Sequence, residues 1–276
     1  MTAAESSPGT LRAHFGLWFG LTVITAMLVA AVFAPLPYDP IKPNADAVLQ
    51  APSAAYWMGT DSIGFDVFSR VIEAARRDLP LAFGGAIISA VIGVPLGLAT
   101  TLKGRASEII MRGLDAFQAF PLLVLAIAIV TLTGNRLEMV IFAIVLIETP
   151  RMMRLIRSEG LAIRESRFIE AAEAMGARPR RILFVHLLPN VTGIILAQTS
   201  IAAANSLTVV AALSFLGIGV SPPDPSWGVM IQAGARLMTS GQWWVSLFPG
   251  VAVFLAVMSL NLIADDLDVI FERTSR

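Results

Sequence analysis

The chain has no cysteine and only two histidines in 276 residues. Without a thiol it forms no disulfide, no thiolate metal site and no cysteine nucleophile. His14 and His186 lack the companion ligands that a metal needs, and read as an interfacial snorkelling residue and a docking or capping residue. No G-x-x-x-x-G-K-[ST] run occurs, so the chain has no phosphate cradle of its own. No G-x-S-x-G or H-E-x-x-H run occurs either, which argues against a membrane-embedded hydrolase. Charge is scarce: 14% of residues are charged and the formal net charge is zero, so no basic excess points to nucleic acid.

Apolar sequence fills the chain instead. Hydrophobic residues make up 56% of it and the charged ones cluster, the pattern of an integral membrane protein. A bilayer core takes about 20 mostly apolar residues per helix. Apolar runs near 14–34, 80–101, 113–134, 137–157, 191–218 and 244–264 therefore predict an all-α fold of about six transmembrane helices. The first run is longer than a signal-peptide core and has no clear small-residue cleavage site, so it reads as a retained helix. Pro95, Pro121 and Pro150 fall in the second to fourth runs and mark expected kinks.

Six spans place both termini on one side, and the arginine and lysine distribution says which. Lys103, Arg105 and Arg112 lie between the second and third runs, and eight arginines lie between Arg151 and Arg181. The opposite loops hold Lys42, Arg70, Arg76, Arg77, Arg136 and Arg236, so with Arg12, Arg273 and Arg276 of the termini included the count is fourteen against six, and both termini are expected in the cytoplasm. The chain divides into an N-terminal region, 1–79, and a core, 80–276, with five helices and a polar loop at about 158–190. The outward part of the N-terminal region opens with the extended PLPYDPIKPN. After a turn at Gly59-Thr60-Asp61, Val67, Phe68, Val71, Ile72 and Ala75 recur at helical spacing, which predicts an amphipathic helix along the membrane surface. A second outward loop carries SPPDPSWG, with Trp227, Trp243 and Trp244 at interfacial depth. It is either an ordinary connector with an aromatic belt or a segment that handles a solute.

The most informative stretch is Phe168 to Asn190, FIEAAEAMGARPRRILFVHLLPN. A charge at the bilayer centre costs roughly 2.5 to 3.5 kcal/mol even on the lenient scale, so the arginine-rich segment must leave the membrane. Glu170 to Met175 favours helix, Gly176 suits the left-handed residue that ends one, and Pro179 suits the first turn of another, which Pro189 bounds. Phe168, Ala171, Ala172 and Met175 share one face, and its small residues let another surface approach closely. The bland alternative is a plain cytoplasmic loop. Polar residues within the fifth and sixth runs are candidate pathway residues: Gln198, Thr199, Ser200, Asn205, Ser206, Thr208, Ser259 and Asn261. Each reads as a helix-packing or backbone-bonding residue before it reads as a ligand contact. The acids Asp115, Glu138, Glu148, Asp265 and Asp266 read as lying toward span ends, which disfavours the alternative of a stand-alone ion-coupled secondary transporter.

Glu170-Ala171-Ala172 followed by Gly176 and Leu188-Pro189 resembles the EAA signature of permease subunits of binding-protein-dependent ATP-binding cassette importers. MGTDSIGFDVFSR, DAFQAFPLLVLAIA, SFLGIGVSPPDPSWG and QWWVSLFPGVAVFLAVMSLNLIADDL are similar to the C-type subunits of dipeptide, oligopeptide and nickel importers, over nearly the whole chain from Tyr56 onward. Three positions bear on the resemblance. His186 stands where the general signature has isoleucine, though histidine is usual in the peptide group; Phe65 replaces a common arginine, and Val210 a common glutamate. The resemblance implies a type I importer permease fold in the cell inner membrane and no catalytic role for this chain. The loop would be a coupling helix seated in a cleft of an ATP-binding subunit. Phe168, Ala171, Ala172 and Met175 would form its contact face, Gly176 its angle, and Glu170, Glu173, Arg178 and Arg180 its rim pairs, with Leu188 and Pro189 closing the motif. Implied partners are a homologous B-type permease, one or two kinds of ATP-binding subunit holding ATP and magnesium, an extracytoplasmic solute-binding protein and membrane lipid. The cargo stays open among dipeptide, oligopeptide, glutathione, opine, oligosaccharide and nickel chelate.

Overall fold

The computed structural model describes residues 15–102, 104–220 and 222–274; His14, Lys103 and Ser221, which entered the sequence reading, lie outside the described residues. Nine helices of eight or more residues succeed one another among the described residues: α1 Phe15–Phe33, α2 Val67–Ala99, α3 Arg105–Gln118, α4 Leu122–Leu132, α5 Leu137–Arg164, α6 Arg167–Ala174, α7 Thr192–Phe215, α8 Trp227–Ala235 and α9 Trp244–Thr274. Beyond an isolated Thr60–Asp66 bridge, the described residues form no strand. Four helices are long and apolar enough to cross a membrane, Phe15–Phe33, Val67–Ala99, Thr192–Phe215 and the Trp244–Phe271 part of α9; α3 with α4 makes a fifth, bent by 80°. α5 has the length, 28 residues, or about 42 Å, but Glu148, Arg151, Arg154 and Arg157 interrupt its apolar character.

α2 is the central helix, packed along α5 and α7, while α9 packs on α7, α8 and α1. Added Cβ atoms at Gly85, Gly93 and Gly97 of α2 would run into Ile144, Met152 and Ile156 of α5, so a stripe of small residues sets this close approach. Without a hydrophobic drive between helices in lipid, such van der Waals contact is what holds them. At the other edge, the Leu17 N–H donates to Asp266 Oδ2 at 2.5 Å, which fastens the start of α1 to α9. The packed interior falls into three apolar clusters: one where α1, α2, α7, α8 and α9 meet, one joining α2, α4, α5 and α7 around Ile144 and Val210, and one around Ile156, Ile169 and Leu187 beside the polar loop.

Several expectations change. The amphipathic surface helix and the second span are one 33-residue helix, with Asp66 Oδ2 capping its start by accepting from Ser69 N. Val67, Val71 and Ala75 are buried against protein rather than laid on lipid. Pro80 sits exposed within α2, where its missing N–H frees a carbonyl without ending the helix. The 79/80 division therefore falls inside α2. The third run, expected as one span at 113–134, is broken at 119–121, where Pro121 takes extended ψ of 99° and starts α4. α9, the helix of the sixth apolar run, reaches Thr274, so Asp265, Asp266 and Asp268 are helical.

Candidate functional site

The polar loop is built as helix, glycine turn, helix. α6 ends at Ala174, and Gly176 takes φ of +82°, so its N–H reaches Glu173 O at 2.9 Å and Ala177 N reaches Ala172 O at 3.0 Å. A Cβ at Gly176 would meet nothing within 4 Å, so the constraint there is conformational rather than steric. Pro179 occupies the first helical position as expected. Pro189 does not bound the second helix: segment 179–190 widens to a π-helix over Ile182–Leu187 and resumes through Leu188–Asn190. Proline has no N–H to give and crowds the carbonyl four residues back, and a wider turn accommodates both.

The expected contact face is split. Phe168 and Met175 are 48% and 83% exposed, and Ala171 is exposed with them, but Ala172 is 7% exposed and faces inward. Ile169, fully buried, is the residue that keys α6 into the cluster of Ile156, Leu183, Leu187 and Val191. Ala172 lies at the edge of the exposed arc nearest Ile169, and packing claims it. Glu170, Arg178, Arg180 and Pro189 are exposed and Leu188 is half-buried; the Phe168 ring stands 6.3 Å from His186.

The residue that ties this loop to the spans is Arg164, which sequence reading passed over as one of eight arginines. Its Nη2 donates to Glu173 Oε1 at 2.8 Å, and its Nη1 to Thr101 O, just past the end of α2, at 2.5 Å. Arg157 likewise reaches Thr100 O and Ser107 Oγ. α6 is thereby bonded through one guanidinium to the end of the central helix.

The polar residues of α7 and α9 divide in another way. Ser200 donates to Leu196 O, Ser206 to Ala202 O, Thr208 to Ala204 O and Asn261 to Val257 O, each four residues back on its own helix. Ser206 is buried, Gln198, Ser200 and Asn205 are half-buried, and Thr208 and Asn261 are exposed. Asn205 faces Glu148 of α5. Val210, 1% exposed, packs among Leu81, Ile144 and Leu213.

The placing of Glu148 toward a span end is corrected, and Asp78, expected in a surface helix, is a second buried carboxylate. Glu148 lies near the middle of α5 at 1% exposure, accepts from Arg151 Nη1 at 2.7 Å through Oε1, and has no partner for Oε2. Asp78 is fully buried about a third of the way along α2. Its Oδ2 accepts from Ser226 Oγ at 3.0 Å and from Trp227 N, at the start of α8, at 2.9 Å. Trp227 donates its ring N–H to Val71 O at 3.0 Å and Trp244 to Thr60 O at 3.0 Å. Both rings are buried, so of the expected belt only Trp243, 45% exposed, remains outward. Around this clasp Arg77 pairs with Asp224 at 2.7 Å, a hydrogen bond that holds the Asp224 carboxyl below its usual range. Arg70, lying 4.2 Å over the Phe65 ring, donates to Pro40 O and Pro223 O. Proline-rich loops from both halves of the chain thus hang on the first third of α2.

A family model described as binding-protein-dependent transport system inner membrane component matches residues 89–276. A dipeptide transport system permease protein of Alkalihalophilus pseudofirmus is 38% identical over 251 residues, 90% of this chain and 82% of that protein. A putative peptide transport system permease protein of Brucella abortus is 36% identical over 260 residues, 93% and 87% of the two chains. One of Brucella suis is 37% identical over 251 residues, 90% and 84%.

Proposed function

Since the chain belongs to the family of binding-protein-dependent transport system inner membrane components, it is a multi-pass inner-membrane permease subunit of an ATP-binding cassette system, and we propose that it forms half of an import pathway for peptides. Peptide is the cargo printed in the names of the similar permeases. The family implies ATPase and binding-protein components. In our reading the second half of the pathway is a homologous permease, ATP and magnesium are bound on the ATPase subunits, and both termini face the cytoplasm.

The observation that carries the coupling role is the exposed face of α6, Phe168, Ala171 and Met175, presented at a glycine turn and bonded through Arg164 to α2. An ATPase that moves α6 would pull the end of α2 through that guanidinium, and α2 is the helix on which α5 and α7 pack. Exposed Glu170 of α6, with Arg178 and Arg180 beyond the turn, supplies charge for the rim.

The test is co-purification. Tagged wild-type chain drawn from native membranes in mild detergent should bring a P-loop ATPase and a second permease; a chain that comes out alone would sink the proposal. Gly176→Val should insert normally yet lose transport, because a β-branched residue at this φ costs more than the roughly 1–2 kcal/mol of an ordinary side chain; wild-type uptake would refute the turn's role. Enlarging Ala172 reports on internal packing instead, since that residue is turned inward. Arg164→Gln should keep the ATPase bound and hydrolysing while solute uptake per ATP falls by about tenfold or more, as expected for losing two charge-assisted hydrogen bonds. Unchanged uptake per ATP would remove Arg164 from the linkage.

A further inference from the structure

Glu148 and Arg151 have no place in the coupling loop, yet they put two charges inside a span. Counted from Arg136, the residue that precedes α5, Glu148 lies about 18 Å and Arg151 about 22 Å along the helix, in a hydrocarbon layer about 30 Å thick. Glu148 is sealed inside the subunit, whereas the Arg151 side chain is 45% exposed. An arginine at that depth facing lipid normally snorkels to the nearer interface, here the end of α5 that leads into the polar loop. Arg151 does the reverse. Its guanidinium is drawn back toward the midplane by the 2.7 Å bond to Glu148, three residues earlier. One turn further on, Arg154 is 48% exposed and pairs with Asp115 of α3 at 2.8 Å. A face of α5 that carries exposed charge at two successive turns is not a lipid face.

From this placement we propose that Arg151, braced by Glu148, stands in the wall of the translocation pathway and engages a carboxylate of the passing solute. This rests on the permease reading above and names the chemistry its pathway selects. A guanidinium has five N–H donors in one plane, and Glu148 takes a single bond on its buried side. The outward donors keep the geometry that receives a carboxylate in two parallel bonds. The buried carboxylate sets the direction of the fork without occupying it. Such a site places a polar contact of the pathway on α5, whereas Ser200, Ser206 and Thr208 of α7 spend their hydroxyls on their own helix. A solute with a free carboxylate, as at a peptide C-terminus, fits it; an uncharged oligosaccharide does not.

Because the chain has no cysteine, the test is a charge rescue at one introduced thiol. The complete importer is reconstituted in liposomes with Arg151→Cys, and uptake of trialanine is followed with and without thiol reagents, identically treated wild-type complex serving as the baseline. The variant should assemble with its partners and hydrolyse ATP, while uptake falls about tenfold or more. Aminoethyl methanethiosulfonate, which puts a positive charge back, should restore most of it, and the sulfonatoethyl reagent should not. Arg151→Lys should retain an intermediate rate. Unchanged uptake in Arg151→Cys, a thiol that neither reagent reaches, or equal recovery with both reagents overturns the inference. Loss of the partner permease in the variant overturns it too, and would place Arg151 against an acidic group of that subunit. A wild-type complex that lacks an ATPase, or moves no trialanine, instead contradicts the proposed function on which the inference stands.

Discussion

Gly228→Val should prevent α8 from assembling with α7 and α9. Gly228 lies in the first turn of α8, and a Cβ there would stand 2.2 Å from Ala211 O, 2.7 Å from Phe215 N and 2.8 Å from Ser214 Cβ. Two of the three are backbone atoms of α7 and its last residue, so no side-chain rotation relieves the contact. α8 would have to back away from α7. The same helix meets α9 at Gly234, where a Cβ would lie 2.5 Å from Ser246 N, so α8 is held between two backbones and has nowhere to go. Overpacking a core costs about 1–3 kcal/mol where side chains yield, and a backbone clash on one side with a wall on the other puts this change at the upper end or beyond. Size-exclusion profiles of detergent-solubilised protein should show little monodisperse Gly228→Val, with Gly228→Ala intermediate. Gly84→Ala, in α2 where an added Cβ meets nothing within 4 Å, should behave as wild type. A well-folded Gly228→Val protein would mean that α8 does not pack against α7 as described.

What could be read from the sequence was what local chemistry decides. Gly176 and Pro179 announced their turn and helix start because left-handed φ and a missing N–H are properties of single residues, and the structure has both where expected. Apolar runs announced α1, α7 and most of α9 for the same reason. What eluded reading depends on which helix lies alongside. Periodicity placed Ala172 on the outer face, but Ile169 drags that edge of α6 into the core. Val67, Val71 and Ala75 made an amphipathic stripe that suited lipid as well as protein, and only the approach of α8 and α9 decides for protein. Glu148 looked peripheral because its neighbours Arg151 and Arg154 mark the end of the apolar run, although α5 continues for 16 residues beyond it to Arg164. The break at Pro121 could have been foreseen; one proline inside an apolar run permits either a kink or a stop, and α3 is polar enough to lie apart.

Trp227 is the plainest of these cases. It carries the signature of an interfacial tryptophan, an amphipathic ring beside a proline loop, yet it is fully buried because a carboxylate 149 residues earlier receives its backbone N–H. No window of sequence contains both groups. The α8 start has no cap of its own, since the Ser226 hydroxyl is turned to Asp78 rather than to the helix. Asp78 takes the cap's place from another helix, satisfying two donors with one oxygen.

Asp78→Ala should therefore cost about 3–5 kcal/mol, the sum of two buried donors left without a partner and the space left by the carboxylate. The loss is concentrated, because α8 is fastened to α2 by three bonds and two of them end on this side chain. The third, from the Trp227 ring to Val71 O, depends on α8 staying in place. The 222–241 segment should then become open to limited proteolysis while α5, α6 and the Arg164 linkage remain intact, so solubilised variant should still bind the ATPase. Asp78→Asn separates charge from shape: its amide oxygen can still accept from Ser226 and Trp227, and Oδ1, which has no partner, marks where the new N–H₂ would point. That variant should lose only about 1–2 kcal/mol, the deficit of an amide against a carboxylate acceptor together with one unsatisfied donor. Thermal unfolding and protease mapping of the three proteins should thus rank wild type, Asn and Ala in that order. An alanine variant as stable and as resistant at 222–241 as wild type would show that Asp78 is not what holds the outer clasp.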